Sequence, residues 1–431
     1  MSEHKRPKMD PSWLRGMTQR RMSRRDMLRT AGVGAGTLSM AAILAACSSD
    51  EGGTTDTGDN NDTSPFDGQT EELVNFANWP LYIDKSRNSD GDVIYPSLVG
   101  FTKETGIEVN YQEVIQSNPE FFGRIQPQLS AGDDTEWDII VLTNGRELTA
   151  MQINDWVVEL DPSKRPNFDA NAADFARDPV FDPGNKFTMA WQSGITGIGV
   201  NTELVDADIT SMDDLADPAK VGTNSVGMLK DDMPDFVMIN LGIDPATSGP
   251  DEWKQAADWL MMQREAGTVR KYYDQGYFDD FTAGNLPVTM GWSGDVLYGK
   301  LWLGEPFEFI FPEGGALLWI DNMMIPANAA HPDAAYALMD YVYQPDVAQG
   351  ITEWVLYMSP VPEVQEMIAE HAKEAEADGD KGYANKLQQT ADSEFLWPTP
   401  EFLSNTKFAK DLRTDEEIQE WDAIFLPISE G

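Results

Sequence analysis

Cysteine is almost missing from this chain: of 431 residues one is Cys, Cys47, so no disulfide can close within it. Histidine is nearly as scarce, with His4, His331 and His371 far apart in the sequence. A zinc site or a histidine-based catalytic triad needs such residues grouped. Their scatter argues against both, and neither metal nor cofactor is expected. Basic residues are also few, 31 Lys and Arg against 73 Asp and Glu, for a formal net charge of −42. Such a surface repels nucleic acid and attracts cations. Solubility or a salty medium accounts for most of that charge, since a pocket needs only two or three carboxylates. Beyond the first 46 residues no run is long and apolar enough to span a bilayer.

The little basic charge there is collects at the start. Residues 1–46 are net positive, while the remainder is strongly acidic. Ser23-Arg24-Arg25-Asp26-Met27-Leu28 precedes an apolar, small-residue run over 30–46. A basic segment followed by an apolar one of this length is an export signal. The paired arginines resemble a twin-arginine signal, and Leu44-Ala45-Ala46-Cys47 resembles a lipobox whose Cys47 takes a lipid. Glycines 32, 34 and 36 imitate a dinucleotide loop but lie inside the apolar run with no strand before them. Residues 48–70 are polar and almost free of apolar side chains, which predicts a disordered tether. The expected sections are 1–46 as export signal and 47–70 as lipidated cysteine plus tether.

From residue 71 the pattern becomes globular. Strand alternation over 71–78, 107–113 and 137–142 is interleaved with helical stretches at 97–104, 118–131 and 147–153. This β-α-β-α-β order implies a mostly parallel sheet with helices on its faces. A second such unit follows about residue 200, with strands at 187–200, 226–229 and 288–292 and helices at 236–241 and 253–265. Further helices are expected at 332–343, 347–355, 363–387 and 414–421. Two α/β units joined by several crossings imply two lobes with a cleft between. Ligands of open α/β sheets lie at the carboxyl ends of strands.

Those strand ends carry rings and acids: Trp79 and Tyr82, Thr143 to Arg146, Asp232 and Asp235, Trp292 with Asp295, and Trp319 with Asp321; Tyr357 lies on another loop. The stretch 314–330, GGALLWIDNMMIPANAA, is the most telling. Residues two apart on a strand share a face, so Trp319 and Asp321 point the same way. An acid inside an apolar strand is costly to bury without a cation or donors. Beside a ring it can receive an amine, the acid taking the charge and the ring the apolar flank. The competing expectation is a turn-capping Asp321 and a core Trp319. Asp232 and Asp235 have a structural alternative as well, because Asp-x-x-Asp ahead of a helix is a capping arrangement. Taken together, rings and acids with few donors describe a site for an organic cation, not for phosphate.

Several stretches resemble the bacterial spermidine/putrescine-binding proteins, the substrate-binding subunits of polyamine ABC importers. They are Asn78-Trp79 with Tyr82, FTKETGI at 101–107, GIGVN at 197–201, Trp292-Ser293-Gly294, Trp319-Ile320-Asp321 and IPANA at 325–329. The resemblance implies a bilobal α/β fold of the periplasmic-binding-protein type II, with hinge strands near 194–201 and 319–326. It implies lobe 1 over 71–193 plus 322–385 and lobe 2 over 194–321 plus 386–431. By matching positions, Trp79, Tyr82, Trp292, Trp319 and Tyr357 correspond to rings around the ligand, Asp232 and Asp235 to acids for one terminal amine, and Asp321 to the central acid. Thr143 is counted with them, although its loop, Thr143-Asn144-Gly145-Arg146, departs from the family, as do the insertion at 86–96 and the tail after 372.

The expected protein is an extracytoplasmic, lipid-anchored monomer that performs no chemistry. Its partners would be a polyamine and the permease subunits in the membrane, with no nucleic acid. A binder of another amine, such as an opine-like compound or a quaternary ammonium, or of a sugar is the alternative within the class. An extracytoplasmic hydrolase is the alternative outside it, and it lacks an evident nucleophile–base pair.

Overall fold

In the computed structural model, residues 71–430 are described; the export signal, Cys47 and the tether expected before them lie outside the described residues. The first half begins with β1 (Leu73–Asn78), a small hairpin of β2 (Ser86–Arg87) and β3 (Val93–Ile94), then β4 (Glu108–Glu113) and β5 (Ile139–Thr143). The long β6 (Met189–Asn201) leads to β7 (Val226–Leu229), β8 (Val269–Tyr273), β9 (Val288–Trp292) and β10 (Phe307–Ile310). The chain returns on β11 (Ala316–Met324), and β12 (Thr406–Lys407) lies in the tail.

Ten of these strands share one sheet in the order β4-β1-β5-β11-β6-β9-β7-β8, with β10 on β6 and β12 on β11. Its two ends are parallel triplets, β4-β1-β5 and β9-β7-β8. Each triplet comes from one α/β unit of the sequence. Between them β11 and β6 run antiparallel to each other and to their outer neighbours. This is the bilobal α/β arrangement, with the two central strands carrying the chain between its halves. All 13 residues of β6 are buried, which suits its apolar, glycine-rich sequence without polar alternation. β11 is buried along almost its whole length and carries a register shift between Asp321 and Asn322.

The helices start and stop where local chemistry dictates. Asn118–Ala131 opens with the Ser117 side chain accepting from the Glu120 amide and a proline in the first turn. It closes on Gly132 in the left-handed region, φ 74°, where glycine carries no steric penalty. Three expectations need correction. The charged run 363–387 is two helices, Val364–Ala377 and Lys381–Asp392: Gly379 turns the chain at φ 89° and the Asp380 side chain caps the second. The terminal helix, Asp415–Glu430, runs well past Trp421 because Trp421, Phe425 and Ile428 give it an apolar stripe. Residues 293–295 are not a loop: the helix Ser293–Tyr298 begins directly after β9 and holds Asp295 in its first turn. The strands β8 and β10 escaped sequence reading. One carries the charged pair Arg270 and Lys271, and the other is four residues long.

Among the described residues no helix is long and apolar enough to cross a membrane.

Candidate functional site

The strand ends converge. A cavity of about 540 Å³ is lined by every candidate: Trp79, Tyr82, Thr143, Asp232, Asp235, Trp292, Trp319, Asp321 and Tyr357. Asp295 joins them. That volume suits a small organic ligand.

Backbone turns place the rings. After β1 the chain turns through Pro80 and Leu81, the latter at φ 59°, and Tyr82 follows. Trp79 is fixed by its indole N–H, which donates to the Val141 carbonyl at 3.1 Å. Tyr357 enters from the other side, where the helix Pro345–Val355 ends on Leu356 at φ 57°. Backbone bonds between Met358 and Ser193 tie that turn to β6. Trp79 and Trp292 meet edge to face with centroids 6.4 Å apart, as do Tyr82 and Tyr357 at 5.2 Å; Trp319 leans on Tyr357 at 5.4 Å. Two glycines make room. A Cβ on Gly194 would lie 2.5 Å from the Trp319 ring, and one on Gly294 would lie 2.5 Å from the Tyr357 ring. Only a residue without Cβ lets those rings sit so close to the backbone.

The acids share one design. Asp321 accepts from the Tyr82 hydroxyl at 2.7 Å on one oxygen and from the Thr143 hydroxyl at 2.6 Å on the other. Thr143 can spare its proton because its own oxygen accepts from the Asn118 amide at 2.9 Å. Asp295 is gripped between Tyr277 at 2.9 Å and Tyr357 at 2.8 Å. Asp232 takes Thr196 at 2.5 Å and the Trp292 indole at 2.9 Å. Thr196 in turn accepts from the Trp319 indole at 3.2 Å, so β6 links that ring to this acid.

All six donors are neutral. Burial therefore dominates, and the bonds offset it only in part. It pushes Asp321 and Asp295 up to about 6 and raises Asp232. Burial likewise drives Tyr82, Tyr277 and Tyr357 upward, so they remain hydrogen-bond donors. Three acids thus sit in a ring-lined space, each oriented by two donors and short of positive charge. A carboxylate so placed is ready for an ammonium group.

Two acids stand differently. Asp235 is pushed by burial to about 7, with its Oδ1 accepting from the backbone N–H of Lys410 at 2.8 Å. Asp231 lines the same cavity and is raised by desolvation to about 7. The capping expectation for Asp232 is overturned. It immediately precedes the helix Met233–Asn240 but makes no side-chain cap bond, because its carboxylate is turned to Thr196 and Trp292. Asp321 is not a turn cap either: it lies inside β11, paired with Thr143 and Gln192.

Sequence reading set Asp295 beside Trp292 at a strand end, although no matching position gave it a role. It missed Tyr277 and Thr196, which carry no signal, one lying in a short helix and the other within β6.

The chain as a whole is similar to known proteins. The curated spermidine/putrescine-binding periplasmic protein of Escherichia coli is 25% identical over 350 residues, covering 80% of this chain and 88% of its own. The putrescine-binding periplasmic protein PotF of the same organism is 30% identical over 306 residues, covering 66% and 79%. Among solved structures, the spermidine/putrescine ABC transporter substrate-binding protein PotD of Streptococcus pneumoniae superposes with a TM-score of 0.64 at 22% identity, covering 84% of this chain and 99% of that one. Residues 99–380 match the bacterial extracellular solute-binding protein family, and the chain belongs to that family.

Proposed function

We propose that the protein captures a polyamine outside the cytoplasm and hands it to the membrane subunits of an ABC importer, without chemistry on the ligand. One observation carries this: Asp232, Asp295 and Asp321 are each held by two neutral donors among aromatic rings. A chain of methylenes with protonated amines matches both features. The rings cover its apolar links and each acid takes an ammonium. Relatives named for spermidine and putrescine support the same class.

The lobes 71–193 plus 322–385 and 194–321 plus 386–431 would close on the ligand by bending β6 and β11, as hinged binding proteins do. Upstream, Cys47 would carry the lipid that holds the body at the membrane surface. Replacing it, Cys47→Ala, should move the protein from the membrane fraction to the soluble one. Equal retention of parent and variant would end the anchor proposal.

Calorimetry with putrescine, spermidine, spermine, choline, amino acids and neutral sugars tests the ligand class. Tight binding of one or more of the first three is expected, weakening as salt is added. Preference for a neutral sugar, or no amine binding, would overturn it.

A further inference from the structure

The cavity has a wall that comes from outside the matched stretch 99–380. Residues of the tail, among them Lys410, Asp422 and Phe425, line the same space as the ring-and-acid site. We propose that residues 406–430 are a strap across the cleft, latched by Arg146–Asp422 and Thr149–Asp411, which must release for ligand to exchange. This rests on the cavity being the ligand site.

The strap is anchored on one side. β12 pairs in parallel with the start of β11, Ala316 against Thr406 and Leu317 against Lys407, just ahead of Trp319. Gly315, at φ 105°, allows this approach, since a Cβ there would lie 2.7 Å from the Asn405 carbonyl. Three residues on, the Lys410 amide binds Asp235 at the head of the helix Met233–Asn240. The terminal helix then packs on Pro250–Ala266: Trp421 meets Trp253 edge to face at 5.3 Å, and Arg264 donates to the Ile428 carbonyl at 3.3 Å. All these partners belong to β11 or to the unit holding β7, β8 and β9.

The latch contacts go the other way. The helix Arg146–Ile153 follows β5 and belongs to the opposite triplet. Its Thr149 hydroxyl donates to Asp411 at 2.7 Å, and the Arg146 guanidinium meets Asp422 at 3.2 Å. The strap thus grips both halves: on the opposite one Phe408 meets Phe181 edge to face at 6.2 Å, and the two polar contacts hold the helix Arg146–Ile153. Polar contacts at partly exposed positions are weak enough to break and remake.

Arg146 also has no place in an amine site unless something cancels it. A guanidinium beside the cavity opposes an incoming ammonium. Here Glu147 at 3.0 Å and Asp422 share its charge. If the halves part with the strap riding on its anchored side, Arg146 keeps Glu147 and loses Asp422. The latch therefore favours the closed form and leaves a less neutralised cation at an open cleft. Any contact made only in the closed form shifts the population toward it.

The test uses the full-length chain with spermidine and putrescine as probes. Asp422→Asn should raise the dissociation rate in stopped-flow fluorescence by about two- to fivefold, the scale of a partly exposed pair. Adding Thr149→Val should raise it further, with the melting temperature nearly unchanged. Exchanging the charges, Arg146→Asp with Asp422→Arg, should restore much of the parent rate. Hydrogen exchange over 415–430, measured without any amine, should quicken in Asp422→Asn. Unchanged dissociation in the double variant, or no rescue by the charge exchange, would overturn the latch. Unchanged hydrogen exchange would do so whatever the ligand is. Should no amine bind the parent, the polyamine assignment fails, and the exchange measurement still judges the latch.

Discussion

Buried acids serve two purposes here, and their partners tell them apart. Asp182 is 2% exposed and accepts from the backbone amides of Lys186, Phe187 and Thr188, and from the Thr188 hydroxyl. Asp340 does similar work, taking the amides of Asn167 and Phe168 and the Asn167 side chain. Those carboxylates hold loops in shape, since backbone amides near them need acceptors. Asp321 is as enclosed, and Asp232 and Asp295 are partly buried, yet all six of their donors are side chains, drawn from three strands, one helix and two loops. Removing an acid of the first kind strips a loop of its acceptors. Removing one of the second kind leaves the backbone intact and changes what the cavity attracts.

The sharpest test of that distinction crosses two variants. Asp321→Asn should lose about 2–5 kcal/mol of polyamine affinity, as when one member of a buried charge pair is truncated. That is roughly 30-fold to several thousand-fold in dissociation constant, with the melting temperature of the empty protein held or raised. Asp182→Asn should do the reverse, costing about 1–3 kcal/mol of stability through unsatisfied amides and leaving affinity alone. Calorimetry and thermal unfolding on both variants would expose any failure to cross.

Next in size is Gly294→Ala. Its Cβ would meet the Tyr357 ring at 2.5 Å, so the ring must move off Asp295. Such overpacking costs about 1–3 kcal/mol, and here it should appear chiefly as affinity, near tenfold or more. An unchanged dissociation constant would show that Tyr357 is not part of the recognising surface.

The pH response should mark the cavity acids more gently. Asp321 and Asp295 titrate at about 6 in the folded protein, and Asp235 at about 7, against an ordinary 3.8 that the unfolded chain would show. Between those values the folded state holds protons that the unfolded state has released. Their contribution to stability is therefore complete below about pH 4 and lost as pH rises through 6 to 7. An ammonium ligand reverses the preference, so binding should expel protons and weaken below pH 6. Calorimetry at pH 6 in buffers of different ionisation enthalpy would reveal the release, and its absence would contradict the placement of ligand charge on these acids.

The smallest expected effect concerns Asp232→Asn. Asparagine keeps an acceptor oxygen for Thr196 and Trp292 and caps a helix about as well as aspartate does. Because Asp232 makes no cap bond, the empty protein should melt within a degree or two of the parent. A clear fall would restore its structural role.

Much of this could be read from residue order. Strand ends bearing Trp79, Trp292, Trp319 and Asp321 were visible because alternation and a following loop mark where a strand stops. The ring-and-acid character of the site followed from composition at those ends. The donors were harder. Thr196 lies in an apolar strand and Tyr277 in an aromatic-rich short helix, so neither stands out from core packing. Nor does local sequence say that Asp232 forgoes its helix, since any Asp ahead of a proline-initiated turn looks like a cap.

The sequence by itself determined most of the longer strands, most of the helices and the ring-and-acid chemistry of the strand ends, because periodicity and side-chain chemistry are local properties. Tertiary structure decided which donors hold each acid, the approach of rings to Gly194 and Gly294, and the path of residues 406–430 over the cleft. Those depend on contacts between residues far apart along the chain, such as Tyr82 with Asp321 and Arg146 with Asp422. Only when the sheet brings β5, β6 and β11 side by side does a buried carboxylate acquire its partners, and with them its charge state and its use.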